Sequence, residues 1–176
     1  MSILFIVFIF AFALQEGLWS TTTDMRLWPS NAVPVRLSIE RLDISADIES
    51  VGLIDNAMAV PSSIEDVGWY KHGPRPGDQG SAVLAGHVNW TGGRSAVFTT
   101  LHTIIVGDTV QVTNSLGHTD TFIVRSIRDY PIDSDTTEVF TSSDGLSRLN
   151  LITCDGVWDP VLKTHLSRMV VFTEKI

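Results

Sequence analysis

Three side chains in this sequence could together perform nucleophilic catalysis: a thiol, an imidazole and a guanidinium. Cys154 is the only cysteine among the 176 residues, so it cannot form a disulfide within the chain. Its thiol is therefore a buried apolar group, half of an intermolecular disulfide, or a nucleophile. A cysteine nucleophile attacks as a thiolate, which needs a nearby base or cation. His87 and Arg168 are the candidates for those two roles.

Strand-like apolar runs carry the three candidates. Residues 81–86 precede His87, residues 148–154 end at Cys154, and residues 168–173 begin with Arg168. Because the ends of neighbouring strands meet at one rim of a barrel, we expect the three side chains to lie together. Cys154 and Arg168 would share one end of a hairpin, with residues 155–167 as its loop. The imidazole would hold the thiolate and protonate a leaving amine. The guanidinium would donate to a substrate carbonyl or oxyanion.

Each candidate also has an ordinary structural explanation. A lone cysteine at a strand end is commonly a packed apolar residue, which would make the chain an extracytoplasmic β-barrel binding module rather than an enzyme. Arg168 has Asp155 and Asp159 as obvious structural partners. Asp155 also puts a carboxylate beside the thiol, which opposes the thiolate unless that carboxylate points away or pairs with Arg168 or Lys163. The other histidines are rivals for the base, namely His72, His102, His118 and, as the strongest rival, His165.

The remainder of the chain predicts an all-β domain. Residues 35–40 and 109–113 alternate with period two, which is typical of half-buried strands. Residues 121–127 would return antiparallel to the second of these through a hairpin tip at 116–118. Short strands, frequent turn signals and few helical stretches predict a closed or nearly closed β-barrel with short helical turns in its loops. Those turns are expected near residues 62–65 and 98–101.

The amino terminus differs from this domain. Residues 3–14 are all apolar, and a helix of that length spans about 18 Å, less than the roughly 30 Å hydrocarbon core of a bilayer. We predict a signal anchor or signal peptide at residues 1–19, a linker at 20–34 and a catalytic domain at 35–176, outside the cytoplasm. The net charge of -8 argues against nucleic acid as a partner.

The sequence around the three candidates resembles the sortases, membrane-anchored cysteine transpeptidases of mainly Gram-positive bacteria. The matching segments, in family order, are Gly80-Ser81-Ala82-Val83-Leu84-Ala85-Gly86-His87, Leu151-Ile152-Thr153-Cys154 and Arg168-Met169-Val170-Val171-Phe172. Segments 67–70, 76–78, 87–89 and 96–98 further resemble the class F, or class E-like, branch. The chain departs from the family at Asn150, where the signature before the cysteine begins with threonine.

The resemblance implies a closed eight-stranded barrel and a two-step reaction. Cys154 would cleave a sorting signal similar to Leu-Pro-x-Thr-Gly in a secreted protein and form a thioacyl-enzyme. An amine, such as that of a peptidoglycan precursor, would then resolve the thioester. A cysteine peptidase that hydrolyses rather than transfers is the enzymatic alternative. Papain-like enzymes place the cysteine before the histidine, and L,D-transpeptidases keep a His-Gly-Cys core that Ile152-Thr153-Cys154 does not match.

Three further residues are candidates for binding the signal peptide, and no cofactor is expected. The resemblance suggests Thr153 as a hydrogen-bonding residue, Trp158 as part of an apolar wall and His72 as a residue lining the groove. For Trp158, packing in the core is an equally good explanation. The resemblance implies no organic cofactor. Loop acids at Asp133, Asp135 and Glu138 could imitate a calcium cluster, but solvated acids are the commoner case, and we predict no metal.

Overall fold

The structure is a computed structural model that describes residues 28–29, 31–90 and 94–176, with only the backbone of Trp90. The predicted anchor at 1–19 and most of the predicted linker lie outside these ranges. Within them, Trp28 and Ala32 from the end of that linker are buried in the core. None of the described helices has the length and apolarity needed to span a membrane.

Eight strands form one closed barrel, as predicted. They are β1 (Pro34–Ile39), β2 (Ile44–Val51), β3 (Val67–Tyr70), β4 (Gly80–Gly86), β5 (Thr109–Asn114), β6 (Thr119–Pro131), β7 (Ser147–Asp159) and β8 (Thr164–Lys175). Around the barrel the order is β1-β2-β3-β4-β7-β8-β6-β5, and β5 closes the sheet by pairing with β1. The pairs β2/β3 and β4/β7 are parallel, and the other pairs are antiparallel.

Short elements occupy the connections. They are two-residue strand pairs at Leu53–Ile54 with Ala57–Met58 and at Asn89–Trp90 with Arg94–Ser95, 3-10 turns at Glu40–Leu42 and Leu101–Thr103, and the short helix α1 at Thr137–Phe140. The segment from 132 to 146, which carries α1, connects the end of β6 to the start of β7. It therefore crosses the outside of the barrel rather than its interior.

Alternation along each strand divides the apolar residues between two clusters. Leu149 and Leu151 of β7 face the barrel interior, where they pack with Leu84 of β4 and other core residues. A second set, called the outer cluster here, lies on the outside and includes half-buried Ile152 from β7. Its members are Tyr130, Val139, Val170 and Phe172, with Phe140 and Ile152 packed against them.

The β7–β8 hairpin corrects one prediction. Residues 155–167 are not a loop, because β7 runs to Asp159, β8 begins at Thr164, and only four residues turn between them. Asp159 accepts hydrogen bonds from the backbone nitrogens of Val161 and Leu162. An aspartate followed by proline is a turn signal, so the turn was readable in the sequence. The strand β3 was also missed, since four residues before a glycine- and proline-rich loop show little periodicity.

Candidate active site

The three catalytic candidates lie level with one another on neighbouring strands. Cys154 of β7 is directly opposite Arg168 of β8 in the antiparallel register. On the other side, β7 and β4 pair in parallel up to Ile152 and Ala85. His87 directly follows Gly86, the last residue of β4, and the same register continued by two residues would bring it level with Cys154. Directly opposite residues in a sheet have Cβ atoms about 5 Å apart, so these residues, called the site row below, are neighbours.

The site row faces the outside of the barrel. Ile152 of the outer cluster and Cys154 are two residues apart on β7, so their side chains leave the same face. Cys154 is a free cysteine with a partly exposed side chain. The explanation of Cys154 as a core residue is therefore wrong, because the interior positions of β7 are those of Leu149 and Leu151.

The backbone before His87 is held by close packing. A Cβ atom on Gly86 would lie 2.6 Å from the ring of Phe98 and 2.8 Å from the side chain of Val97, so only glycine fits there. The carbonyl of His87 accepts a hydrogen bond from the nitrogen of Phe98 at 2.9 Å. Its imidazole Nε2 lies 3.3 Å from the carbonyl oxygen of Pro61. These contacts fix where the imidazole leaves the end of β4.

Thr153 holds the strand of the histidine against the strand of the cysteine. Its side chain is buried, and its hydroxyl donates to the carbonyl of Gly86 at 2.9 Å. That hydroxyl, predicted to bind the substrate peptide, is thus engaged inside the protein. Its contact joins the residue before Cys154 to the residue before His87, and so supports the register of the site row.

Arg168 is oriented by acceptors on its own strand. Its Nη1 donates to the carbonyls of His165 and Ser167, at 2.9 and 2.8 Å. Its Nη2 donates to the hydroxyl of Thr164 at 3.0 Å. These contacts use three of the five N–H groups of a guanidinium, and the other two have no acceptor among the described residues.

Asp155 is kept apart from the thiol by strand geometry rather than by an ion pair. Asp155 and Cys154 are consecutive in β7, so their side chains leave opposite faces of the sheet. Within the described parts of the chain, Arg168 donates to no carboxylate, so the structural alternative in which it pairs with Asp155 or Asp159 is wrong.

Beyond the site row, the β7–β8 hairpin exposes an apolar surface. Trp158 is 52% exposed, so the explanation of a core-packed aromatic is wrong. Its ring meets the ring of His165 edge to face at 5.4 Å. The Nδ1 of His165 lies 3.0 Å from the carbonyl oxygen of Gly156. This histidine, considered as an alternative to His87 for the role of the base, therefore makes its contacts within the hairpin. The other exposed apolar residues of the hairpin are Val157, Val161, Leu162 and Leu166.

His72 lies away from the site row. It follows β3, whose first residue Val67 pairs with Gly86 near the row and whose last residue Tyr70 is further along the barrel. His72 is exposed, and its ring meets that of Tyr70 edge to face at 5.6 Å. Of the three residues proposed from sequence for substrate binding, none therefore belongs to the row itself.

Two of the three loop acids considered as a calcium cluster, Asp135 and Glu138, accept hydrogen bonds from neighbouring side chains. Asp135 accepts from the nitrogen and hydroxyl of Thr137, and these bonds lower its pKa. Glu138 accepts from the hydroxyl of Tyr130 at 2.5 Å and from Arg128 at 2.9 Å. The Tyr130 bond is the main cause that lowers the pKa of Glu138, and burial is the main cause that raises the pKa of Tyr130. No metal-ligating group of three or more acids, histidines and cysteines occurs among the described residues.

Comparisons with known proteins agree with this architecture. A family model described as the sortase domain matches residues 37–176. The fold is similar to that of a lid mutant of sortase A from Corynebacterium diphtheriae, with TM-score 0.63 and 18% identity over 82% of this chain and 70% of that one. It is also similar to sortase C-1 from Actinomyces oris, with TM-score 0.64 and 23% identity over 81% of this chain and 74% of that one. A search of curated proteins found no match.

Proposed function

Because the chain belongs to the sortase family of cysteine transpeptidases, we propose that Cys154, His87 and Arg168 are its catalytic residues. The observation that supports this proposal is the site row, in which Cys154 and Arg168 are opposite each other on β7 and β8 and His87 directly follows the neighbouring strand β4. These are the groups required for covalent acyl transfer: a nucleophile, a proton donor and acceptor, and a fixed cation.

In the first step, the Cys154 thiolate attacks the carbonyl carbon of the scissile peptide bond and a carbon–sulfur bond forms. The carbonyl oxygen carries negative charge in the tetrahedral intermediate, and Arg168 donates to it or to a neighbouring substrate carbonyl. The carbon–nitrogen bond then breaks, and the imidazolium of His87 gives its proton to the leaving amine. The products are a thioester on Cys154 and a released carboxy-terminal fragment.

In the second step, an amine attacks the thioester carbonyl while neutral His87 takes its proton. The carbon–sulfur bond breaks, a new amide forms, and the thiolate and imidazolium are restored. Dividing the transfer in this way lets an amine compete with water for the acyl group. We propose a primary amine of a peptidoglycan precursor as the acceptor and a Leu-Pro-x-Thr-Gly-like sorting signal as the donor.

The finer classification is also a proposal. Segments 67–70 and 76–78 support assignment to the class F, or class E-like, branch. In the structure the first segment is the strand β3, and Pro76 and Gly77 of the second are buried. The assignment to this branch is tested by measuring which peptides the enzyme cleaves in a panel that differs in the signal residues.

We further propose that residues 1–19 anchor the enzyme in the membrane, with residues 20–34 as a linker and the domain at 35–176 outside the cytoplasm. Support comes from buried Trp28 and Ala32, which lie at the end of the barrel opposite the site row. An anchor attached there would leave the row facing away from the bilayer. A membrane-impermeant maleimide should label Cys154 in intact cells, and labelling only after lysis would contradict the proposed location.

The catalytic proposal is tested by incubating the purified protein with sorting-signal peptides, with and without a small primary amine. Mass spectrometry should detect a thioacyl adduct on Cys154 and, with the amine, a new amide product. The absence of an adduct with every peptide tried would falsify the transpeptidase mechanism. Release of acid alone, even at high amine concentration, would favour the hydrolytic alternative, and an unreactive thiol would favour a binding module.

A further inference from the structure

Asn150, where the sequence departs from the family signature, is fully buried on the outside of the barrel. It lies on β7 on the same face as Ile152 and Cys154, because the three residues are spaced by two. Its side-chain Nδ2 donates to the carbonyl of Val139 in α1 at 2.6 Å. Its Oδ1 is buried without a hydrogen-bond partner among the described residues. The amide thus joins the strand of the nucleophile to the segment that crosses over it.

Helix α1 depends on such contacts for its position. It has four residues, far fewer than an isolated helix needs to be stable in water. On one flank, the carboxylate of Glu138 accepts from Tyr130 and Arg128 of β6. On the other flank, the ring of Phe140 meets that of Tyr70 of β3 edge to face at 5.6 Å. Between these two flanks, the hydrogen bond from Asn150 to Val139 is buried, whereas those of Glu138 are exposed or partly buried.

Helix α1 covers part of the outer surface of the barrel and so limits how much of β7 is accessible to a peptide. Val139 is fully buried over the outer cluster, and half-buried Ile152 packs against that cluster between Asn150 and Cys154. Four strand residues span about 13 Å, which is the extended length of about four peptide residues. A peptide with its scissile carbonyl at Cys154, running along β7 toward α1, would therefore meet the helix about four residues before the cleaved bond.

We infer that Asn150 is a positioning residue that fixes α1 as the end wall of the peptide groove and thereby determines which residue is accepted there. This inference rests on the proposed function, since the groove has a wall only if a peptide binds along β7. Asparagine suits this position because its amide extends one atom further than the threonine hydroxyl and donates a hydrogen bond to the carbonyl of Val139. Asn150 acts through α1 and does not contact the reacting atoms.

The test compares Asn150→Leu, which keeps the volume but loses the donor, with wild type. Hydrogen exchange of residues 136–141 should become faster. The ratio of kcat/KM values for two peptides that differ four residues before the cleaved bond should change about three- to tenfold, the value of one hydrogen bond. The rate of thiol labelling at Cys154 should stay within about twofold of wild type.

Asn114→Leu is the matched control. Asn114 is also buried, and its side chain accepts from the nitrogens of Leu116 and His118 at the far end of the barrel. This variant should lose stability without changing the peptide ratio. If Asn150→Leu does not fold, Asn150→Thr and Glu138→Ala provide milder changes, because Glu138 is exposed, and both should change the ratio in the same direction.

The outcomes separate the inference from the function on which it rests. An unchanged peptide ratio in folded Asn150 variants overturns the inference, even where stability falls. Unchanged hydrogen exchange at 136–141 overturns it without any substrate. If wild type forms no thioacyl adduct, the proposed function fails, whereas faster exchange in Asn150→Leu would still uphold the role of Asn150 in fixing α1.

Discussion

The two ends of the barrel use similar side chains in opposite ways. At the end away from the site row, His118, Asp120 and Lys175 form what we call the base network. Buried Asp120 accepts from His118 Nε2 at 3.1 Å and from Lys175 Nζ at 2.9 Å. In the site row, by contrast, the histidine and arginine contact backbone carbonyls and a threonine hydroxyl, and the thiol is partly exposed.

The contrast shows how a histidine and a cation can either stabilise a fold or serve chemistry. In the base network two side-chain donors share one oxygen of a buried carboxylate, and such a network contributes rigidity. In the site row, backbone carbonyls and a threonine hydroxyl orient Arg168, and they use only three of its five N–H groups. We therefore expect changes in the row to reduce turnover and changes in the base network to reduce stability.

The largest expected effect comes from removing the nucleophile. Cys154→Ala should lower turnover by roughly a thousandfold or more, because no other group can form the thioester. Its melting temperature should stay close to that of wild type, since the side chain is partly exposed. Peptide cleavage followed by chromatography and thermal unfolding measure the two effects.

Asp120→Ala is the counterpart in the base network. It should reduce the free energy of unfolding by about 1–3 kcal/mol, because it removes a buried acceptor that two partly exposed donors share, and change kcat/KM less than twofold. The comparison fails if this variant, still folded at the assay temperature, loses turnover as Cys154→Ala does.

Two glycines, one near each end, give the next largest effect. In Gly86→Ala the new Cβ would lie 2.6 Å from the ring of Phe98, and in Gly77→Ala it would lie 2.2 Å from Oδ2 of Asp120. Both variants should lose about 1–3 kcal/mol of stability through overpacking. Only Gly86→Ala should also lower kcat/KM, by about ten- to a hundredfold, because it displaces His87. Equal loss of activity in both would contradict the assigned roles.

A smaller effect is expected at Thr164, whose hydroxyl accepts from Arg168. Thr164→Val should lower kcat about three- to tenfold with little change in KM, because the guanidinium loses one orienting acceptor. Thr164→Ser should restore the rate. Thr119→Val is the control, since Thr119 shares a hydroxyl hydrogen bond with Thr113 at the other end of the barrel. If Arg168→Lys abolishes the effect of Thr164→Val, the two residues act together.

The smallest effect is a pH dependence at Glu138. Its pKa is lowered in the folded protein, first by the hydroxyl of Tyr130 and also by Arg128. A lowered folded-state pKa stabilises the fold above the ordinary value of about 4.5, and the effect is lost as the pH falls through the folded value. Glu138→Gln should therefore melt at a lower temperature than wild type at pH 6–7, and the difference should shrink as the pH falls below about 4.5. A constant difference across that range would mean that the charge of Glu138 is not involved.

Much of the fold was accessible from the sequence because strands have a simple period. Alternation in 35–40 and 109–113 predicted the strands β1 and β5, and apolar runs before His87 and Cys154 predicted β4 and β7. Helix α1 and strand β3 were missed, because four-residue elements carry too little periodicity. Their positions depend on contacts such as that of Asn150 with Val139, between residues on different elements.

The chemistry of the site was likewise readable before its geometry. Residue types and strand ends indicated Cys154, His87 and Arg168, but not the partners of each. Asp155 and Asp159 were the structural partners considered for Arg168, which instead donates to Thr164 and to backbone carbonyls. Every residue of a strand has a backbone carbonyl, whatever its side chain. The contacts of Arg168 with backbone carbonyls therefore could not be predicted from the sequence.

What the sequence by itself determined is the set of candidate reactive groups and the strands that carry or precede them, because alternation and apolar runs identify strands. Only the tertiary structure decided that the three groups are level. That alignment depends on the register of β4, β7 and β8, which contacts between distant residues establish, as when Thr153 donates to the carbonyl of Gly86. A slip of one residue would turn Cys154 into the barrel interior.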